Sequence, residues 1–217
     1  MTELREYERD LNFSKSKYVT GWQCPKMLWM QKYSPETFDD SVLNQMVFDQ
    51  GNQVGKLAQG LFGDCEVVSY EEDKRIMVEE TRRLIEAGAE NIAEASFLLG
   101  GLYCAVDLLH RVGDNEFEIY EVKSSTIKKD EKVDGKDVPD VYKVDAGFQY
   151  YVLTRLGYTV SKVCIVRLDA DYVLEGELDI HKLFFFSDVT EDASAMYDEE
   201  IPDNLEYFKE VDRKSVV

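Results

Sequence analysis

The chain has 217 residues, which is enough for one domain with a sizeable hydrophobic core. Its 44 acidic residues against 25 basic ones give a formal charge of −19, which excludes a protein that coats nucleic acid through a general basic surface. No apolar run could span a bilayer and the polar N-terminus is no secretory signal, so we expect a cytoplasmic protein without a membrane partner. Two histidines and four widely spaced cysteines fit neither His-rich zinc chemistry nor a disulfide scaffold.

The first feature in chain order is a basic aromatic segment at residues 14–33, which has four Lys, two Trp, two Tyr and no acidic residue. Aromatic faces stack on bases and lysines follow phosphates, so this segment is a candidate for holding a nucleic-acid strand. The alternative is an ordinary amphipathic helix with Trp22, Leu28 and Trp29 in the core. Both interpretations can hold together.

Hydrophobic periodicity predicts the elements that follow. Helices are predicted at residues 41–62, 73–87 and 141–156, and strands at residues 66–70, 91–99, 102–112, 116–125 and 160–168. Residues 128–140, rich in both charges, predict a mobile loop. The order predicts an α/β or α+β domain with a central mixed β-sheet flanked by helices. From Asp188 onward there are ten acids and three bases, so we expect a solvated terminal segment.

The predicted hairpin at residues 102–125 contains the candidate catalytic residues. A three-residue turn at 113–115 places Asp107 opposite Glu121 on one face, with Lys123 two residues along on the same face. Two carboxylates about 5 Å apart repel by roughly 3 kcal/mol at an effective dielectric near 20. A divalent cation would offset this repulsion, and oxygen ligands favour Mg²⁺ or Mn²⁺. The pattern therefore predicts phosphodiester hydrolysis by a metal-activated water.

Several alternatives stay open at this point. The three residues could form a charged cluster on a half-exposed sheet, and a turn of another length would move one carboxylate to the other face. Glu94, an acid inside an apolar strand, is either a third carboxylate of the site or an exposed residue of an edge strand. Lys143 and Asp145 are expected on the surface of the first turn of the helix at 141–156.

Asp107, the tract Glu121-Val122-Lys123 and Gln149 together resemble the PD-(D/E)XK nuclease superfamily. Within it the chain is similar to the RecB-like nucleases, including the CRISPR-associated exonucleases, and in particular to the N-terminal nuclease-like part of a bacterial family. The similarity covers residues 13–190, and its most specific part is residues 14–29. It implies a restriction-endonuclease-like core within a domain at residues 1–190, followed by an acidic tail at 191–217.

The resemblance also implies roles for individual residues. Asp107 and Glu121 would be metal ligands, assisted by the Val122 carbonyl. Lys123 would be the catalytic lysine, and Gln149 would help to place the DNA substrate.

The chain departs from the family at three positions. Gly55 stands where the first-helix element has histidine, and Leu153 stands where the glutamine motif has tyrosine. Cys24 matches one ligand of the iron–sulfur cluster found in some relatives, but no cysteine follows Cys164. A cluster would need ligands beyond Val217, so none is expected in the chain as given.

These observations predict a metal-dependent nuclease acting on DNA, single strands included, with Mg²⁺ or Mn²⁺ as cofactor. One alternative is a catalytically silent module with a nuclease fold that binds nucleic acid or supports assembly. Another is an acidic regulator that mimics DNA, which would display its carboxylates outward in rows.

Overall fold

The computed structural model describes residues 3–10, 12–37, 42–128 and 138–213, and only the backbone of residues 10, 37, 42–49, 212 and 213. The helices are α1 (Glu6–Asp10), α2 (Lys15–Gln23), α3 (Pro25–Tyr33), α4 (Val42–Ala58), α5 (Lys74–Glu86), α6 (Asp140–Leu156), α7 (Ile180–Leu183), α8 (Thr190–Ala195) and α9 (Glu200–Arg213), with a 3₁₀ turn at Pro35–Thr37. The strands are β1 (Phe13–Ser14), β2 (Glu66–Val67), β3 (Asn91–Leu99), β4 (Leu102–Arg111), β5 (Glu116–Ile127), β6 (Thr159–Asp169) and β7 (Phe184–Asp188).

In the described part of the chain, seven strands form one mixed sheet. Six follow the order β2-β3-β4-β5-β6-β7, and β1 pairs with β4 outside this path. The pairs β3–β4, β4–β5 and β6–β7 are antiparallel, whereas β1–β4, β2–β3 and β5–β6 are parallel. The predicted α/β class with a central mixed sheet flanked by helices is confirmed, and the arrangement is consistent with a restriction-endonuclease-like core.

Each face of the sheet is covered by a helix. On one face Val144, Phe148 and Val152 of α6 belong to the larger core, at the spacing of four that makes one helix stripe. On the other face Val54 and Ala58 of α4 are buried in a smaller cluster. No helix among the described residues is both long and apolar enough to cross a membrane.

The segment after Asp188 is folded, so the expected solvated terminal segment is wrong for residues 190–211. Ile201, Leu205 and Phe208 of α9 are buried in the main core, at the i, i+4, i+7 spacing of an amphipathic helix. The Phe208 ring stacks on Phe13 at a centroid distance of 6.1 Å. The acidic composition concealed this narrow apolar stripe.

Helices α2 and α9 approach closely at Gly21. A Cβ atom there would lie 2.9 Å from the Phe208 ring and 3.0 Å from Leu28 Cδ2, whereas a Cβ atom at Gly55 in α4 would meet nothing within 4 Å. We therefore expect Gly21→Ala to lower the free energy of unfolding by about 1–3 kcal/mol through overpacking.

The matched control is Gly55→Ala, which should raise the free energy of unfolding by up to about 1 kcal/mol because alanine is the better helix former. Urea denaturation of both variants measures the two values. Equal effects at the two glycines would contradict the close approach at Gly21.

Candidate functional site

Strands β4 and β5 pair in the predicted register, with Leu108 opposite Tyr120. The three-residue turn closes where the Val112 amide donates to the Glu116 carbonyl at 3.0 Å. Leu108 and Tyr120 form the last pair of β4 with β5 before Asp107 and Glu121. The ladder of β4–β5 backbone pairs therefore opens at these two acids.

In the opened ladder, Asp107 Oδ2 accepts a hydrogen bond from the Val122 amide at 2.7 Å. The first predicted acid is therefore fixed by the backbone of the strand that carries the second. The amide of Val122 is used in this way, and the role of its carbonyl as a metal ligand stays a prediction.

The ladder opens because β4 changes its partner along its length. Near its start β4 pairs in parallel with β1, with Ser14 opposite Tyr103, and from Leu108 onward it pairs with β5. Lys15 follows Ser14 directly and begins α2, whose first turn is capped by the Ser14 side chain. The change of partner therefore brings a lysine from the N-terminal segment to the place where Asp107 and Glu121 lie.

Glu121 is almost fully enclosed, with 2 % of its surface exposed. Its Oε1 accepts from Lys123 Nζ at 2.7 Å and from Lys15 Nζ at 3.0 Å. Its Oε2 accepts from Gln149 Nε2 at 2.7 Å and from Lys15 Nζ at 2.9 Å. Burial opposes ionisation of Glu121, but the ammonium groups of Lys123 and Lys15 outweigh it and hold its pKa well below the usual range.

Asp145 also belongs to the site, which corrects the expectation that it lies on the helix surface. It is 8 % exposed and one helical turn before Gln149 on α6. Its Oδ2 accepts from Lys123 Nζ at 2.5 Å, and its Oδ1 lies 3.3 Å from Lys15 Nζ. Lys143, by contrast, forms an ion pair with Asp192 at 3.0 Å away from this group. We call Asp107, Glu121, Asp145, Lys15, Lys123 and Gln149 the carboxylate cluster.

Glu94 lies beside the carboxylate cluster on β3. Among the described residues other than glycine, it alone has a positive φ, 57°. Its neighbours Ala93 and Ala95 pair with Leu108 and Val106, so the position of Glu94 in the register is opposite Asp107. Such a backbone conformation costs of order 1–3 kcal/mol and is found mainly at functional sites. Glu94 is itself exposed, so the structure leaves both interpretations open, an acid of the site and an exposed residue of its strand.

The two acids on β3 and β4 share one electrostatic feature, a raised pKa. Burial, and then the charge of Glu121, raises the pKa of Asp107. Desolvation also raises the pKa of Glu94, although the nearby Lys15 acts in the opposite direction. In both acids desolvation is the largest cause of the raised pKa, and the charge of Glu121 adds to it.

The four predicted catalytic residues Asp107, Glu121, Lys123 and Gln149 thus come together, whereas Cys24 and Leu153 lie elsewhere. Cys24 precedes α3, where its carbonyl accepts from the Met27 amide at 2.9 Å, and no contact joins it to the carboxylate cluster in the described structure. Leu153 is fully buried in the core. The nearby Tyr151 donates to Glu8 at 2.7 Å, in a separate buried network.

The basic aromatic segment forms two helices, α2 and α3, and both interpretations of it retain support. Of the three residues expected in the core, Leu28 is buried, whereas Trp22 and Trp29 are only half-buried; Tyr18 is buried as well. The rings of Trp29 and Tyr33 lie 5.1 Å apart, and Tyr33 is 49 % exposed. Part of the aromatic surface therefore remains open to a partner.

Sequence reasoning missed Lys15 and Asp145 as members of the site. Asp145 could have been found, because it precedes Gln149 by four residues and so shares its helix face. Lys15 had no such local signal, since its place depends on the pairing of β1 with β4.

In the part of the chain that the structure describes, no group of three or more His, Cys, Asp or Glu side chains has the arrangement of a metal site. The positive charge among the carboxylates is supplied by two lysine ammonium groups. The metal-ligand roles of Asp107 and Glu121 therefore stay predictions.

No protein-family model matches the chain, and no curated protein matches it significantly. Among solved structures it is similar to an alkaline exonuclease from Laribacter hongkongensis, at 13 % identity and a TM-score of 0.42 over 92 % of each chain. It is also similar to the protein SSO0001, at 12 % identity and a TM-score of 0.33 over 92 % of this chain and 81 % of that one. Similarities this weak carry no argument about activity, so the function is argued from the geometry of this chain.

Proposed function

We propose that this chain is a metal-dependent nuclease that hydrolyses phosphodiester bonds of DNA at the carboxylate cluster. The observation that carries the proposal is the convergence of three carboxylates and Lys123 at one opening of the sheet. Buried like charges are costly, and proteins keep such arrangements mainly where they serve a function.

By their chemistry the residues present suit a hard divalent cation, since the groups that could bind it are the carboxylate oxygens of Asp107, Glu121 and Asp145. In the described structure these oxygens are not arranged as a metal site. A cationic group already lies among them, because Lys15 Nζ is within 3.3 Å of both Glu121 and Asp145. Oxygen ligands with this charge favour Mg²⁺ or Mn²⁺.

Asp107 and Glu121, with the Val122 carbonyl, would hold the cation. A bound Mg²⁺ or Mn²⁺ lowers the pKa of water and neutralises charge on a phosphoryl group. Lys123 is held between Glu121 and Asp145, from where its ammonium group can stabilise negative charge on the phosphate. Gln149 fixes the orientation of Glu121 through its Nε2, while its buried Oε1 has no hydrogen-bond partner in the described structure.

DNA is the proposed substrate, and the basic aromatic segment is the proposed contact for its strand. Lys17 and Lys26 of this segment can meet phosphates, while the rings of Trp29 and Tyr33 offer a surface for stacking. Unpaired bases stack on aromatic rings more readily than paired ones, which favours single strands or strand ends.

The test is cleavage of single- and double-stranded DNA in the presence of Mn²⁺ or Mg²⁺, repeated with Lys123→Ala. We expect cleavage by the wild type and a loss of roughly a hundredfold or more in the variant, because one charge-stabilising group is worth about 3 kcal/mol. Lys143→Ala, which removes an ion-paired lysine from the same helix as Gln149, is the matched control and should keep full activity. Cleavage unchanged by Lys123→Ala would exclude this mechanism.

A catalytically silent binding module is the second candidate, and Gly55 in place of the family's histidine favours it. Such a module predicts DNA binding with no cleavage by the wild type in either metal. An acidic DNA mimic is less consistent with the structure, since Glu121 and Asp145 are buried together with lysines instead of displayed outward.

A further inference from the structure

Lys15 lies at the centre of the carboxylate cluster although it comes from a distant segment. Its Nζ contacts both carboxylate oxygens of Glu121, at 3.0 and 2.9 Å, and lies 3.3 Å from Asp145. Its side chain is 16 % exposed. The Lys15 ammonium group thus forms ion pairs with two carboxylates at once. Lys15 is therefore a stable internal cation of the site.

The oxygens of Glu121 are fully used by the protein itself. Each accepts two hydrogen bonds from nitrogen atoms of Lys15, Lys123 and Gln149. A divalent cation can therefore bind the oxygens of Glu121 only if one of these three donors moves away. The competition follows from geometry, since a divalent ion needs the lone pairs that these donors occupy.

Lys15 is the donor that can withdraw at the smallest cost. Lys123 makes shorter contacts, 2.7 Å to Glu121 and 2.5 Å to Asp145, and Gln149 is 0 % exposed on α6. Lys15 makes longer contacts, and since its side chain is 16 % exposed against 19 % for Lys123, contact length and not exposure separates the two lysines. Its four-carbon side chain starts at the junction of β1 and α2, so the ammonium group can leave without any movement of the sheet.

We propose that Lys15 is a built-in counter-ion that occupies the cation position of the metal-free protein and competes with the divalent cation for it. This inference rests on the proposed function and adds its regulation: Lys15 lowers the affinity for the metal and holds the carboxylates together in its absence. A divalent cation bound to Glu121 would add to the positive charge that Lys15 and Lys123 already bring there, so the Lys15 ammonium group would repel it.

The test is calorimetric titration of Mn²⁺ into the full chain, without DNA, for the wild type, Lys15→Met and Lys15→Arg. We expect Lys15→Met to bind Mn²⁺ at least about tenfold more tightly, because a competing positive charge is removed. Lys15→Arg keeps the charge and should bind no more tightly than the wild type. Lys17→Met removes the same charge from an exposed position of α2 and should leave the Mn²⁺ affinity unchanged.

Thermal unfolding provides the second readout. Without metal, Lys15→Met should melt below the wild type, and Mn²⁺ should raise its melting temperature by more than it raises that of the wild type. If Lys15→Met is unfolded without metal, Mn²⁺ should refold it, and failure to refold would overturn the inference.

The outcomes separate this inference from the proposed function. Mn²⁺ affinity that is equal or weaker in Lys15→Met would overturn the role of Lys15 while leaving a metal-dependent nuclease in place. Absence of Mn²⁺ binding in the wild type and in Lys15→Met would overturn both.

Discussion

Glu121→Gln should reduce metal-dependent DNA cleavage by roughly a thousandfold, a change of about 4 kcal/mol in the activation free energy. The substitution keeps the shape of the side chain but removes the charge that Lys15, Lys123 and Gln149 all face. Without that charge the proposed metal position loses a ligand, and the two ammonium groups keep only Asp145 as a close partner. Initial cleavage rates over a range of Mn²⁺ concentrations measure the effect.

Glu118→Gln is the matched control for this prediction. Glu118 lies on the same strand, but three residues away and therefore on the opposite face, where it accepts from Tyr120. The Glu118→Gln variant should cleave DNA at the wild-type rate. Circular dichroism must show that both variants are folded, and cleavage by Glu121→Gln at the wild-type rate and with the wild-type dependence on Mn²⁺ would argue against Glu121 as a ligand.

Glu8→Gln should lower the free energy of unfolding by about 3–5 kcal/mol, which is the usual cost of breaking a buried ion pair. Glu8 in α1 is 0 % exposed, and its carboxylate accepts from Arg155 Nε and Nη2, both at 2.8 Å, and from Tyr151 at 2.7 Å. The variant leaves the Arg155 guanidinium buried without its negative partner. Urea denaturation near neutral pH measures the loss.

The pH dependence of this loss provides its control. Burial opposes ionisation of Glu8, but hydrogen bonds from Arg155 and Tyr151 outweigh it, so its pKa in the folded protein lies below the ordinary value. Its contribution is therefore present above that ordinary value and is lost as the pH falls through the folded pKa. The difference in unfolding free energy between the wild type and Glu8→Gln should shrink on acidification, and a constant difference would contradict a charge effect.

The matched control variant is Glu79→Gln, which breaks an exposed ion pair with Arg82 and should change the free energy of unfolding little.

The hairpin shows how much of the site could be predicted from the residues alone. Turn chemistry at 113–115 and the period-two alternation of its strands are local properties, so the register followed from them and placed Asp107, Glu121 and Lys123 on one opening of the sheet. The helical period likewise predicted the buried positions Val144, Phe148 and Val152 of α6, whereas Gln149 was implied as a site residue only by the resemblance.

Two predictions failed because composition was a poor guide to packing. The acidic segment after Asp188 contains α9, whose Ile201, Leu205 and Phe208 complete the core. Asp145, expected at the surface, is buried because Lys15 and Lys123 compensate its charge. In both cases the deciding partner lies far along the chain.

Local periodicity in this chain was therefore enough to specify the strands, their faces and the acids that meet on them. It could not specify which cations meet those acids, because Lys15 reaches Glu121 only through the parallel pairing of β1 with β4, a contact between residues distant in sequence. Nor could it show the unusual backbone of Glu94, which interrupts the otherwise constant pairing of β3 with β4 opposite Asp107. The charge balance of the site is a tertiary property, because it depends on which segments the folded sheet brings together.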